Sequence, residues 1–411
     1  TQDKVVRREL RLFPGELFDL NKTREAELRL RETGLFSAAS VTPVGDEPGV
    51  RDALVDVTEQ DRTVQFLFGV GVTSNSGVLG NIMIENRNFD LFDWPRSFSE
   101  FVKGQSFRGA GQTMRIQLEP GTELTRFRID FLEPYFLDRE MSLGTSLYFF
   151  ERGRDDYDEE RLGGSVSFGK RFRKGRMRNW AAELSLRLEN VDIDDVDWLD
   201  GRDIRDVEGN NYISSVRGTL VHDTTDSRFL PSRGHRFRIS YEQAGVFGGD
   251  YTFGKIQTSY RWHHTLYTDE FDRKQIVALG GRVGGIIGDA PVFERFYGGG
   301  LGSIRGFEFR GVSPRQGLRD SAVGGDFMIL FNAEYSFPLV GKNLRGVAFA
   351  DMGTVEQDYE ITTWRASIGG GIRLLVDFFG PIPLEFDLAV PLSRDDDDDR
   401  QIFSFFFGTT F

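Results

Sequence analysis

Val64-Gln65-Phe66-Leu67-Phe68-Gly69-Val70-Gly71-Val72-Thr73 is the stretch on which the reading of the fold turns. Val64, Phe66, Phe68, Val70 and Val72 alternate with Gln65, Leu67, Gly69, Gly71 and Thr73. Successive side chains of a strand point to opposite faces, so this period of two makes one apolar face and one mainly small or polar face. Charge marks the two faces farther on, where Phe127, Ile129 and Phe131 alternate with Arg126, Arg128 and Asp130, and Phe237, Ile239 and Tyr241 with Arg236, Arg238 and Glu242. A face with arginine at successive positions has to be wet. A soluble sandwich meets that demand by turning the charges outward, a membrane barrel by turning them into its lumen, and alternation alone does not separate the two.

Segment number and length bear on the choice. Strands are expected near 64–73, 77–88, 109–119, 124–133, 141–151, 160–172, 178–190, 211–223, 234–244, 251–265, 274–286, 326–337, 343–353, 363–376, 383–391 and 401–411. Many exceed the ~5 to 6 residues of globular strands, and about sixteen long antiparallel strands joined by alternating short and long connections suit an outer-membrane barrel. The 38 Phe, 48 Gly and only 13 Pro also favour strands and tight turns. Apolar residues make up 39% of the 411, and no run approaches the ~18 to 20 that a membrane helix needs, which excludes helical spanning and leaves a barrel open.

Other classes fall away on composition. With no cysteine there are no disulfides, thiolate metal sites or cysteine nucleophiles. A net charge of −13 argues against binding nucleic acid, whose phosphates call for a basic surface. The histidines at 222, 235, 263 and 264 lack metal-ligand spacing, and neither a nucleophile elbow nor a complete phosphate loop occurs. The expectation is therefore no catalytic residue, no metal, no cofactor and no enzyme. The acidic run Asp395 to Asp399 reads more readily as a solvated tip than as a calcium loop, and the basic cluster Lys170, Arg171, Arg173, Lys174, Arg176 and Arg178 equally well as a solvated hairpin turn or as a contact for anionic headgroups or a partner lipoprotein.

Three regions break the strand rhythm. Residues 1–60 read as a separate small unit, with a charged helix around Arg24 to Arg31 capped by Asp19 and ended near Gly34, then β segments at Phe36 to Val44 and Leu54 to Thr58. Residues 287–325 form a long Gly-rich loop without a clear strand, a length that in a compact fold usually signals function. In 91–107, Trp94, Phe98, Phe101 and Val102 share one face if the segment is a short interfacial helix; an aromatic-rich loop fits as well.

The loop contains Phe293-Glu294-Arg295-Phe296-Tyr297-Gly298-Gly299-Gly300 and Ser303-Ile304-Arg305-Gly306-Phe307. Ala322-Val323-Gly324-Gly325, Asn332-Ala333-Glu334-Tyr335, Asp351-Met352-Gly353-Thr354-Val355 and the ending Phe407-Gly408-Thr409-Thr410-Phe411 follow. Leu132-Glu133-Pro134-Tyr135-Phe136, and Asp226-Ser227-Arg228 followed by Pro231-Ser232-Arg233-Gly234, precede them. In this order the set resembles the BamA family of outer-membrane assembly factors, over nearly the whole chain. The resemblance implies a mainly β protein: a transmembrane antiparallel barrel over 64–411, preceded by the last polypeptide-transport-associated (POTRA) domain over 1–60, which looks as if its first strand were missing. Segment 91–107 resembles an insertion in what the family makes a short periplasmic turn.

The resemblance also implies that loop 287–325 folds back into the lumen, with Arg305, Gly306 and Phe307 anchored against Glu334 and Asp351; without it, Arg305 reads equally well as a surface residue. A lateral seam is implied between the first and last strands, at Phe66, Phe68, Gly69 and Gly71 on one side and Phe405, Phe407, Gly408 and Phe411 on the other. Glycine weakens strand pairing, so the seam is expected to be short or irregular; ordinary barrel glycines are the plainer reading. The implied activity is insertion of unfolded outer-membrane β-barrel proteins, with accessory periplasmic lipoproteins and outer-membrane lipids as partners, in the outer membrane with the N-terminal domain in the periplasm. The alternatives are a translocation or autotransporter-assembly branch of the same superfamily and a passive porin.

Overall fold

The computed structural model describes the chain except residues 46, 48–49, 61–62, 105, 174, 229, 377–381 and 409–411, and the side chains at 101–102, 376 and 382–383. Phe411 of the expected seam and Lys174 of the basic cluster lie outside the described residues. The chain divides into two compact units, Thr1–Leu67 with Ile82–Gln117 and Arg128–Ser146, and Phe68–Asn81 with Leu118–Phe127 and Leu147–Phe411.

In the first unit, α1 (Asp3–Leu10) and α2 (Leu20–Glu32) precede the hairpin β1 (Phe36–Val44) and β2 (Asp52–Glu59). Asp19 caps α2 by accepting from the Asn21 N–H at 2.8 Å, and Gly34 follows the helix with φ +70°. Val5, Leu30, Leu35, Phe36 and Ala39 form one small core. The helix α1 gives no long apolar period in the sequence, because its run is highly charged and only Val5 and its neighbours face that core.

The strands β3 (Val64–Thr73), β4 (Gly77–Phe89), β5 (Gln112–Glu119), β6 (Leu124–Glu133), β7 (Ser142–Gly153), β8 (Asp158–Phe172), β9 (Trp180–Asp194) and β10 (Gly209–Asp223) are followed by β11 (Gly234–Gly249), β12 (Phe253–Thr268), β13 (Lys274–Gly288), β14 (Phe327–Val340), β15 (Leu344–Glu356), β16 (Arg365–Val376), β17 (Ile382–Ser393) and β18 (Phe403–Phe407). They close in sequence order into one antiparallel barrel, which bears out the expected architecture and strand number. Several ends differ from expectation: β9 and β11 run on to Asp194 and Gly249, and two strands start late. β5 begins at Gln112 because Gly109 is engaged by the Gln2 N–H at 2.7 Å, and β18 begins at Phe403 because Arg400 and Gln401 pair instead with Phe307 and Gly306.

Closure decides between sandwich and membrane barrel. Phe331, Met352, Ile368, Ile372, Phe386, Leu388 and Phe403 are exposed on the outer face, while charged residues of the same strands are buried within the ring. An outer band this apolar belongs against lipid. Among the described residues no helix is long and apolar enough to cross a membrane.

Turns between strands are held by specific polar clips. At the β10–β11 turn, Asp226 Oδ1 accepts from the Ser232 N–H at 2.8 Å and the Arg233 N–H at 3.1 Å, while Lys274 Nζ donates to Ser232 Oγ at 2.9 Å. Burial would raise the Asp226 pKa, but the bonds from Ser232 and Arg233 prevail and lower it to about 2.

Candidate functional site

The connection from β13 to β14 bonds to strands on several sides of the ring and therefore lies inside it. It carries a short 3-10 turn at Val292–Glu294 and two-residue bridges at Gly306–Phe307, Arg315–Gln316 and Ser321–Ala322. Phe296, Ile304, Phe307 and Val312 of this loop pack with Ala244, Ile286, Met328, Leu330 and Val355 of the wall in one apolar cluster. A second cluster joins Val292, Phe293 and Val323 to Val191, Ile193 and Ile213. The loop thus supplies the core that a barrel of this size would otherwise leave to water.

Arg305 fixes one side of the loop. Its Nε donates to Asp351 Oδ2 at 2.7 Å and its Nη2 to Asp351 Oδ1 at 2.9 Å, a bidentate pair, while Nη1 donates to Glu334 Oε2 at 2.9 Å. The Arg305 backbone N–H also donates to Asp351 Oδ2, at 3.1 Å, and the guanidinium lies 3.4 Å from the centre of the Phe349 ring. Burial by itself would lower the Arg305 pKa; its bonds to Asp351 and Glu334 outweigh that and raise it. Gly306 has φ +93°, and a Cβ there would sit 3.3 Å from that of Ala389, so glycine lets the loop run against β17. Phe307 is fully buried.

Asp387 and Arg373 belong to the same network and were not anticipated. Arg373 Nη1 donates to Asp387 Oδ1 at 2.6 Å and Nη2 to Asp387 Oδ2 at 2.9 Å, with Asp387 Oδ2 also 3.5 Å from Arg305 Nη1. Alternation would have found Asp387, since Phe386 and Leu388 face outward on β17. Asn332 completes the set by donating to Ser303 O at 2.7 Å and to Asp351 Oδ1 at 3.0 Å.

Glu294 holds the other side. Arg187 Nη1 donates to Glu294 Oε1 at 2.9 Å and Arg161 Nη1 at 3.2 Å, and Arg161 Nη2 donates to Phe293 O at 2.8 Å. Lys255 Nζ lies 3.6 Å from Glu294 Oε2. Burial would raise the Glu294 carboxyl; Arg187, Lys255 and Arg161 overcome it and hold it well below the usual carboxylate range. A group whose folded pKa is depressed stabilises the fold above its unfolded pKa and loses that contribution as pH falls towards the folded value. Glu294→Gln should therefore be less stable than the parent at neutral pH, and the difference between their unfolding midpoints should shrink below about pH 4. Parallel midpoint curves down to acid would show that the Glu294 charge contributes nothing.

The seam differs from the long pairings of the strands that follow β8. β12 and β13 pair from Phe253↔Gly288 to Thr268↔Lys274, whereas the described pairs of β18 with β3 are Phe406↔Thr73 and Phe407↔Val72. Ser74 extends the contact by donating its N–H to Phe405 O at 3.1 Å. The structure brings Gly71, Phe405, Phe407 and Gly408 together; a Cβ on Gly71 would lie 3.0 Å from Phe407 O and 3.4 Å from the Gly408 Cα. Among the described residues Phe66, Phe68 and Gly69 have no register partner on β18, and both phenylalanines are exposed.

The acidic run is not a free tip. Asp398 is buried and accepts from Arg365 Nε at 3.0 Å, because β16 brings that arginine beneath the β17–β18 connection. Among the described residues no histidine and carboxylate group is arranged to hold a metal ion.

A barrel closed over an inward-folded loop, following a small α/β unit, agrees with the family comparison: the Omp85 superfamily domain matches residues 106–411, and a POTRA domain, described as surface antigen variable number repeat, matches residues 1–62. The chain belongs to the Omp85 superfamily. It is 30% identical to the outer membrane protein assembly factor BamA of Nitratidesulfovibrio vulgaris, over all of this chain and 50% of the relative. It is 24% identical to BamA of Neisseria meningitidis, over all of this chain and 55% of the relative, and 26% identical to the human sorting and assembly machinery component 50 homolog, over 72% and 59%. The chain spans about half the length of the first two. Its fold is similar to that of BamA from Haemophilus ducreyi lacking POTRA domains 1–3, with a TM-score of 0.80 at 20% identity, covering 100% of this chain and 82% of that one. CdiB from Acinetobacter baumannii is similar at a TM-score of 0.66 and 15% identity, covering 99% and 71%.

Proposed function

We propose that the chain is the membrane-embedded part of an outer-membrane protein insertase. It receives unfolded β-barrel proteins from the periplasm, where its N-terminal unit lies, and catalyses their folding into the outer membrane through the β3–β18 seam, without cofactor, nucleotide or covalent chemistry. The similarity to assembly factors supports the class; the pairing of β18 with β3, which among the described residues comprises Phe406↔Thr73 and Phe407↔Val72, is the observation that carries the mechanism.

The physical reason lies in the backbone. Strand edges in lipid must satisfy their N–H and C=O groups, and a seam with few paired positions costs least to part. Once parted, each edge offers a template on which an incoming strand can pair. Accessory periplasmic lipoproteins and membrane lipids are the further partners of this reading; nucleic acid is not one. Depleting the protein and measuring outer-membrane barrel content is the test. Unchanged levels of all barrels would end the reading.

The filled interior weighs against a passive porin. In planar bilayers the protein should conduct weakly and erratically, because the apolar clusters and both ion-pair networks occupy the ring. Steady, large-amplitude conductance would favour the porin. Export of one dedicated partner with normal barrel content would favour the translocation branch.

A further inference from the structure

The β4–β5 connection is far longer than a turn requires, and most of it precedes the stretch matched by the Omp85 family, which starts at residue 106. It is tied down at its base. The Phe107 N–H donates to Asp93 O at 2.7 Å and the Asp90 N–H to Phe107 O at 3.0 Å, while Asp90 Oδ1 accepts from the Phe92 N–H at 3.0 Å and Asp93 Oδ2 from the Arg108 N–H at 3.2 Å. The Gln2 N–H donates to Gly109 O at 2.7 Å, and Asn88 Nδ2 donates to Thr1 Oγ1 at 2.9 Å. A short helix α3 (Phe98–Val102) follows, with Ser97 Oγ accepting from the Glu100 N–H at 3.2 Å and Glu100 Oε2 from the Arg96 N–H at 2.8 Å.

With these polar groups paired, the segment still presents large apolar side chains to the outside. Phe92 is 82% exposed, Trp94 68% and Phe98 81%. A solvated loop has no use for three such residues on a backbone held this firmly.

A line of rings connects them to the barrel wall. Phe131 lies on the face of β6 opposite Arg126, Arg128 and Asp130, hence outward. Phe89 meets Phe131 edge-on at 6.3 Å and stacks on Phe107 at 5.4 Å, and Phe107 meets Trp94 edge-on at 5.3 Å. The apolar outer belt therefore runs on, ring against ring, into the connection. β3 starts directly after the N-terminal domain and β4 returns, so this connection sits at the strand ends nearest that domain.

We infer that segment 90–108 is an interfacial membrane anchor, with Phe92, Trp94 and Phe98 seated among the headgroups and first acyl carbons of the leaflet on the N-terminal-domain side. Tryptophan and phenylalanine on a backbone pinned at its base are what that zone favours. The anchor follows β4, the strand next to β3, and so holds the bilayer surface beside the seam. The inference rests on the reading of the barrel as membrane-spanning.

The absence of cysteine makes the test direct. Phe92→Cys and Phe98→Cys are each labelled with an environment-sensitive fluorophore in the full chain, reconstituted in phosphatidylethanolamine–phosphatidylglycerol vesicles; Ile368→Cys on the outer belt is the control. The expected result is blue-shifted emission at 92 and 98, quenched by nitroxide lipids labelled near the headgroup and little affected by aqueous iodide. Intrinsic emission should lose the same quenchable component in Trp94→Phe, a measurement needing no label. Quenching at 368 with water-like, iodide-sensitive emission at 92 and 98 would overturn the anchor and leave the membrane barrel standing. Absence of quenching at 368 as well would overturn the membrane reading and the anchor with it. Shielding in native envelopes but not in vesicles of the purified protein would assign the patch to a protein partner and likewise overturn the anchor.

Discussion

Replacing Arg305 with alanine should release one side of the inward-folded loop while leaving the barrel closed. The substitution removes the bidentate pair with Asp351 and the bond to Glu334, and leaves Asp351 buried at 0% side-chain exposure with only neutral donors, Asn332 and the backbone N–H of residue 305, to face its charge. Removing one partner of a buried pair costs roughly 3–5 kcal/mol, because the remaining charge has neither water nor a counter-ion. That exceeds what the loop's small bridges at Gly306–Phe307 supply, so the 303–307 segment should leave its place. Limited trypsin digestion of the folded barrel should then cut after Arg310 or Arg315, where the parent resists, and insertion of barrel substrates should fall sharply. Arg305→Lys should recover little, since an ammonium cannot make the two-pronged contact or lie flat over Phe349. Parent-like protease resistance and activity in Arg305→Ala would mean that the Glu294 side and the apolar clusters hold the loop unaided.

The second large effect concerns the seam. Cysteines at Val72 and Phe407, which face each other across β3 and β18, are within the separation a disulfide spans in paired strands. Oxidation should abolish insertion of new barrels and reduction should restore it, because the link removes the one strand pair that has to part. A pair placed across β12 and β13, at Ser259 and Arg282, is the control; those strands never separate in the proposed cycle, so its oxidation should leave activity unchanged. Full activity with the seam locked would refute lateral opening while leaving fold and family intact.

All sixteen barrel strands were legible in the sequence, most within a few residues of their ends. The reason is that both environments of a membrane barrel act on every residue: lipid selects apolar side chains on one face, and the filled lumen selects polar ones on the other. Asp19 and Gly34 marked the ends of α2 for an equally local reason, the unpaired backbone groups at helix termini. Of the interior network, the anchoring of Arg305 against Glu334 and Asp351 was implied by the family resemblance, whereas Asp387 stands in plain alternation beside Phe386 and Leu388 and has no motif to mark it. Glu294 carried no local signal at all, since a carboxylate in a Gly-rich loop reads as solvated until the strands carrying Arg161, Arg187 and Lys255 are brought around it.

What the sequence determined by itself is the set of elements whose cause is local: the period-two strands, the capped helix, the glycine-rich loop and which strand residues share a face. Tertiary structure alone decided that the strands close into a ring, that Arg400 and Gln401 pair with the loop and thereby shorten β18, and which charges share a buried site. Those outcomes depend on groups far apart in the chain. The free energy of a buried ion is set by its neighbours in space, and no stretch of sequence carries that information until the chain has folded.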